Sequence, residues 1–220
     1  MPPKRDTPYR HAVVIGHPAP GSFNHAIAST WCAGVAETGQ IADINDLYAS
    51  GFDPRLAADE RPGPHFRPPQ DIAAEIDRVA AADALVLIYP IWFGLPPAII
   101  KGYVDRVMGA GLGAEAVKAR EEHPLLKGKH LTILSTSAAT RPWLEERGQW
   151  LALKQAFDNY LVSIFGLSGC HHVHFDAIVP GMTGRVAEEH LEVVRRTARE
   201  RCAQLAYGTL PPKLMTPPSY

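Results

Sequence analysis

The chain has 220 residues, a formal net charge of −1 and three cysteines, Cys32, Cys170 and Cys202. One domain of that length buries roughly 70% of its unfolded surface, so neither a disulfide framework nor a structural metal is needed to hold it. The near-neutral charge excludes an electrostatic footprint for nucleic acid or an anionic membrane, while the odd, scattered cysteines and the polar N-terminus MPPKRDTPYR predict a cytoplasmic protein without a signal peptide.

Residues 12–16 (AVVIG) are a short apolar run ending in glycine, which predicts a first buried strand. After HPAPGSFN at 17–24, Ile27, Trp31 and Val35 recur every four residues over 24–38, one face of a helix that Gly39 stops. Residues 41–47 alternate apolar and polar, like an outer strand. Residues 50–69 carry five prolines and no periodicity, which predicts a long loop of a kind that is usually functional or disordered. A helix over 71–82 precedes the uncharged stretch 84–100, ALVLIYPIWFGLPPAII. Its length approaches the about 17–25 residues of a membrane span. Pro90, Gly94, Pro96 and Pro97 interrupt it, however, because proline removes a backbone donor and clashes with the preceding turn. It divides instead into a buried third strand at 84–89, a bend at 90–94 and a helix over 97–108 that buries Ile100, Tyr103, Val104 and Val107. A fourth strand follows at 131–135. Trp150, Leu153, Phe157, Tyr160 and Ile164 form a helical stripe ending at Gly166. A fifth strand is predicted at 173–179. Leu191, Val194, Ala198, Cys202 and Leu205 mark the last helix before Gly208.

Five strands alternating with helices predict an α/β fold: a doubly wound parallel sheet of order 2-1-3-4-5, helices on both faces, in a single domain over 1–210 with a Pro-rich tail at 211–220. The switch point of that order lies between strands 1 and 3, so the loops after Gly16 and Tyr89 meet there. HPAPGSFN sits between a strand and a helix N-terminus, where free N–H groups and the helix dipole favour an anion such as a phosphate. Gly21 permits close approach, and Ser22 and Asn24 supply a cap and hydrogen bonds; an ordinary capped turn is the alternative. In the bend, Trp92 and Phe93 are either core aromatics or the cover for a flat ligand whose edge meets backbone groups.

HPAPGSFN (17–24), DLYASGFDP (46–54) and YPIWFGLPPAIIKGYVDRV (89–107), in this order over residues 12–108, resemble the flavodoxin-like NAD(P)H:quinone oxidoreductases, the NAD(P)H dehydrogenase (quinone) family. The resemblance implies a flavodoxin-like fold, tightly bound FAD with FMN as the alternative, and NAD(P)H as co-substrate. It also implies a homodimer with active sites at the subunit interface and ping-pong, two-electron reduction of quinones or related electrophilic aromatics. By position, His17, Ser22, Phe23 and Asn24 would hold the flavin phosphates and ribityl chain, and Pro90, Ile91, Trp92, Phe93 and Gly94 would line the isoalloxazine. The family's second flavin loop, Thr-Thr-Gly-Gly or close to it, here reads Ser135-Thr136-Ser137-Ala138: the hydroxyls are kept and both glycines are gone. The Tyr and His that follow this loop in better-known members are absent from AATRPWLEERGQW (138–150), so no catalytic acid or base is assigned. Arg141 and Trp143 are read as structural or surface residues, with a nucleotide or substrate contact as the alternative.

Three other patterns stand apart. In CHHVHFD (170–176), Cys170, His172, His174 and Asp176 share one face under strand alternation. They make either a metal-capable set or the polar face of an edge strand with Val173 and Phe175 inward. Lys101 and Asp105 are spaced as a surface ion pair, and VRRTARERC is a solvated helix face. Two further functions fit the residues. One is an FMN-dependent electron carrier, disfavoured by the lack of strong acidity and of a Ser/Thr-rich phosphate loop. The other is a flavin-binding regulatory subunit of a membrane transporter, which co-purification with a membrane partner would reveal.

Overall fold

Successive side chains of a strand point to opposite faces, and that alternation divides the core in two. The computed structural model describes residues 7–61, 66–119, 121 and 123–208; the tail at 211–220 and the expected domain boundary before it lie outside them. β1 (Arg10–Ile15), β2 (Ile41–Asp46), β3 (Ala84–Pro90), β4 (His130–Thr136) and β5 (Gly169–Phe175) form an all-parallel sheet in the order β2-β1-β3-β4-β5. On one face Val14, Leu85, Leu87, Tyr89 and Ile133 pack beneath α2 (Gln70–Ala81), α3 (Ala98–Tyr103) and α7 (Tyr160–Phe165). On the other, Val13, Ile15, Val86, Ile88 and Leu134 pack beneath α1 (Phe23–Ala36) and α8 (Gly184–Tyr207). β3 is buried along its whole length, which is why it reads as an uninterrupted apolar run. No helix among the described residues is long and apolar enough to cross a membrane.

Local differences from the sequence expectations have local causes. The fifth strand runs Gly169–Phe175 rather than 173–179. Its polar first half pairs with β4 from His130↔Gly169 onward, and the positive φ of Ala177 (52°) ends it. Pro90 closes β3 instead of opening the bend, paired with Thr136. Ile88 accepts from Gly16 and Ile91 donates to the Thr136 carbonyl. The N–H that Pro90 lacks would therefore face β1, which has already ended, so the proline costs the ladder nothing.

Within the described part of the loop at 50–69, Ala58–Glu60 form a 3-10 turn. A Cβ on Gly102 would lie 2.3 Å from the Pro54 carbonyl oxygen, so only glycine lets this loop rest on α3. Two helices widen into π turns. α3 continues as one at Val104–Met108. α6 (Gln149–Leu153) continues through another, Lys154–Asn159, into α7, so the apolar stripe expected over 150–164 is helical but not evenly so. A short α4 (Ala114–Lys118) and α5 (Arg141–Glu146) complete the chain order. Lys101 and Asp105 form the expected exposed ion pair, 2.5 Å apart. Arg195 and Arg199, from the charged run of α8, reach Glu37 just past α1.

Candidate functional site

At the C-terminal edge of the sheet three segments converge. The loop at 17–22 enters α1, the bend at 91–95 leaves β3, and the loop at 137–140 leaves β4. The His17 and Trp92 rings lie 6.2 Å apart, Ile91 N–H donates to the Thr136 carbonyl at 2.7 Å, and Thr136 Oγ1 donates to Asn24 Oδ1 at 3.2 Å. These contacts join all three segments at the place where the strand order reverses.

The bend is built by its backbone. Trp92 and Leu95 exchange both N–H···O bonds (3.0 and 3.1 Å), while Phe93 and Gly94 between them have φ of 50° and 84°. Two consecutive left-handed residues make a tight turn that favours glycine at the second, and Phe93 holds its conformation at a cost. Phe93 is fully exposed and Trp92 is 42% exposed, so neither is a core aromatic. A β-carbon on Gly94 would stand 3.4 Å from the Gln149 amide at the start of α6.

In the first loop, Ser22 occupies the N-cap position of α1, but its hydroxyl caps no backbone amide. It meets His25 Nδ1 at 2.7 Å, and His25 Nε2 meets Asp46 at 2.8 Å. The expected capping role of Ser22 is thus replaced by a side-chain chain; its carbonyl accepts from the His25 and Ala26 amides, and the Phe23 and Asn24 N–H groups are the open ones at the start of α1. Burial works to raise the Asp46 carboxyl, yet the His25 bond and the Ala49 and Tyr48 amides outweigh it and hold it low. Burial lowers His17, whose Nδ1 accepts from the Ala19 amide. Asn24 is buried, held by Thr136. Phe23 turns to the far face, edge-on to Phe175 at 6.5 Å.

The third loop is supported from below by side chains. Ser135 is wholly buried, with its hydroxyl 2.7 Å from His172 Nε2 and 2.8 Å from His174 Nδ1. Ser137 Oγ donates to the Ala139 carbonyl at 2.6 Å and lies 3.0 Å from His174 Nε2. His172 Nδ1 meets Asp158 Oδ2 at 2.7 Å, and Lys154 reaches the same oxygen at 2.7 Å. The Trp150 ring covers both histidines (5.0 and 5.2 Å), and the Arg141 guanidinium lies over Trp150 at 4.8 Å. Burial, followed by the neighbouring His172, pushes His174 down to about 4. Burial also lowers His172 against the pull of Asp158. Burial works to raise the Asp158 carboxyl, but His172 and Lys154 win and lower it.

The structure therefore brings together His17, Ser22, Asn24, Ile91, Trp92, Phe93, Gly94, Thr136 and Ser137 around one edge, and places Ser135 beneath it. Cys170, His172 and His174 do share a face, but the histidines are engaged with serines and a carboxylate. Asp176 lies past the strand and accepts from the Arg141 amide at 2.7 Å. No three metal-capable side chains converge among the described residues. Sequence reading missed Asp158, Trp150 as a cover, and His25. The available signal for Asp158 was a carboxylate within an apolar helical stripe, four residues after Lys154.

Comparison with known proteins accords with the fold. A family model described as the flavodoxin-like fold matches residues 10–202. An uncharacterized NAD(P)H oxidoreductase of Haemophilus influenzae is 32% identical over 168 residues, covering 76% of this chain and 81% of the relative. NAD(P)H dehydrogenase [quinone] 1 of Rattus norvegicus is 28% identical over 149 residues, covering 59% of this chain and 54% of the relative, so the chain spans about half of that protein's length. The solved structure of an NAD(P)H:quinone oxidoreductase from Methanothermobacter marburgensis superposes with a TM-score of 0.78 at 23% identity, over 89% of this chain and all of that one, a likeness of fold.

Proposed function

The chain belongs to the flavodoxin-like fold family, and from that premise we propose that it is a flavin-dependent NAD(P)H:acceptor oxidoreductase that reduces quinones or related electrophilic aromatics by two electrons. The observation that carries this reading is the Trp92–Leu95 turn: two aromatics are held out of the core by a closed backbone turn, beside the His17 loop and the helix N-terminus. A flat ring fits against Trp92 and Phe93, and a phosphate fits the open amides at the start of α1. FAD is the cofactor we propose.

Bound there, the flavin supplies hydride chemistry, while the protein supplies position and charge. Trp92 and Phe93 orient the ring, and a fixed orientation alone removes a large part of a bimolecular barrier. The backbone of 91–94 and of the loop after β4 offers fixed dipoles to its polar edge. Ser22, Asn24 and His17 hold the phosphate end. Ser135 acts behind the ring site rather than in it, because its hydroxyl is already shared by two histidines. NAD(P)H and the acceptor use the same exposed face in turn, which is the ping-pong order. An apolar groove of about 610 Å³, lined by Leu56, Val104, Leu112, Tyr160 and Ile164, runs between α3, α4 and α7 and supports pairing with a second copy. Three free cysteines suit a cytoplasmic location.

The test is to release the cofactor from purified protein, identify it by chromatography, and follow its bleaching by NADH and NADPH. FAD that bleaches and is reoxidised by a quinone is expected. A colourless protein that takes up neither FAD nor FMN overturns the reading. Trp92→Ala is expected to weaken flavin retention roughly tenfold, the loss of one aromatic contact.

A further inference from the structure

The hydrogen bonds beneath the loop after β4 form one unbroken chain, and its protons can be counted. Asp158 to His172, His172 to Ser135, Ser135 to His174, His174 to Ser137 and Ser137 to the Ala139 carbonyl make five bonds. Each needs one hydrogen. An ionised Asp158 and the Ala139 carbonyl are acceptors only, so hydrogens come from two hydroxyls and two neutral imidazoles, which have one each. Four hydrogens serve five bonds. Whatever tautomers are chosen, one pair of atoms must face each other with lone pairs. The longest contact, 3.0 Å between His174 Nε2 and Ser137 Oγ, marks where the gap lies; the other four are 2.6–2.8 Å.

A fifth proton at His174 Nε2 completes the chain. Passage of the His174 Nδ1 proton to Ser135 Oγ, as the Ser135 proton passes to His172 Nε2, then moves the positive charge to His172, against Asp158, without any heavy atom changing partner. We propose that the His172–His174 pair is the proton store of this site: it binds one proton from solvent when negative charge appears beside Ser137 and releases it when that charge leaves. The proposal rests on the oxidoreductase reading above. Transfer of two electrons and one hydrogen from NAD(P)H to a quinone leaves one proton to be supplied from solvent, and the pair holds that proton between the two half-reactions. NAD(P)H is oxidised, the quinone is reduced, and the stored proton ends on a hydroquinone oxygen. The histidines are positioning residues, acting through Ser137 rather than touching the ring.

The surroundings suit a store that is empty at rest. Arg141 on α5 and Lys154 in the π turn oppose a second charge, while Asp158 in that turn and Asp176 after β5 favour it. Trp150 on α6 covers the pair on one side, and Tyr89 on β3 and Cys170 on β5 lie on the Asp158 side. The balance leaves both rings neutral at pH 7. The pair titrates as a unit, so the proton belongs to both.

Side-chain 15N NMR of the whole flavin-loaded protein at pH 7, before and after reduction by dithionite, reads the pair directly. Two neutral rings becoming one neutral ring and one imidazolium is expected. Two rings that stay neutral, or an imidazolium already present before reduction, overturn the proposal. The midpoint potential gives an independent measure. Each proton taken up with two electrons changes the equilibrium tenfold per pH unit, about 30 mV. His174→Gln and the milder Ser137→Ala are each expected to shift the slope near pH 7 by about that amount, and a wild-type slope in both variants also overturns it. Protein that binds no flavin refutes the oxidoreductase reading instead, and is recognised before any reduction is attempted.

Discussion

The two π turns bury a charged side chain each, and they do so to opposite ends. At Val104–Met108, Arg106 turns inward and donates to both Glu60 oxygens (2.6 and 2.7 Å), to Asp71 (3.0 Å) and to the Asp53 carbonyl (2.6 Å). Its guanidinium fork is filled on every side, and it ties the irregular loop at 50–61 to α3. At Lys154–Asn159, Asp158 turns inward beside Phe157, but its Oδ1 has no partner among the described residues, nor has the nearby Tyr89 hydroxyl. A satisfied buried ion is a fastener, whereas a partly satisfied one remains open to a change of charge. The same helical device, an extra residue in one turn that brings a polar side chain to the core side, serves structure in one place and chemistry in the other.

The largest effect is expected at the fastener. Arg106→Leu leaves the Glu60 carboxylate buried without its cation and should lower stability by about 3–5 kcal/mol, read from urea unfolding midpoints. A loss below about 1 kcal/mol would mean that the loop is not tied there. The next effect belongs to the second turn and depends on pH. The ordinary histidine value near 6.5 is lowered to about 4 in the fold for His174, so between these values the unfolded chain binds the proton and the native state does not. Stability therefore rises with pH across that window and is lost as pH falls from 6.5 to 4, by up to about 3 kcal/mol. His174→Gln should flatten this slope, and an unchanged slope would remove His174 as its source.

Ser135→Ala strips the hydroxyl from between two buried imidazoles and should cost about 1–3 kcal/mol, again by urea unfolding. A neutral outcome would show that the rings find other partners and would dissolve the chain. The smallest change is expected outside both turns. Phe93→Gly removes a fully exposed ring from a left-handed position; it should leave stability unchanged or raise it by about 1 kcal/mol while weakening flavin retention. A clear destabilisation would show that Phe93 is a packing residue after all.

Much of the frame was legible in the chain. The prolines of 84–100 divided an uncharged run into strand, bend and helix, and the apolar runs ordered the sheet, because those signals act within a few residues of themselves. The fifth strand was misplaced by four residues since its first half, Gly169–His172, is polar and becomes a strand only by pairing with β4. Ser135, Thr136 and Ser137 read as a loop with hydroxyls, but the first two are the last residues of β4 and only Ser137 leaves it; what the hydroxyls touch is set by the pairing of β4 with β5. Cys170, His172 and His174 were correctly placed on one face, yet Asp158 was not joined to them. Its contact with His172 spans fourteen residues and those of Ser135 span thirty-seven and thirty-nine.

What the sequence by itself determined is the doubly wound sheet and the bend at its edge, since alternation, proline and glycine dictate backbone conformation locally. Only the tertiary structure decided that the loop after β4 rests on a chain of two serines, two histidines and an aspartate. That chain exists because β4 and β5 lie side by side in register and a π turn rotates Asp158 under them. Neither the register nor the extra residue of the turn is written in any local run of residues.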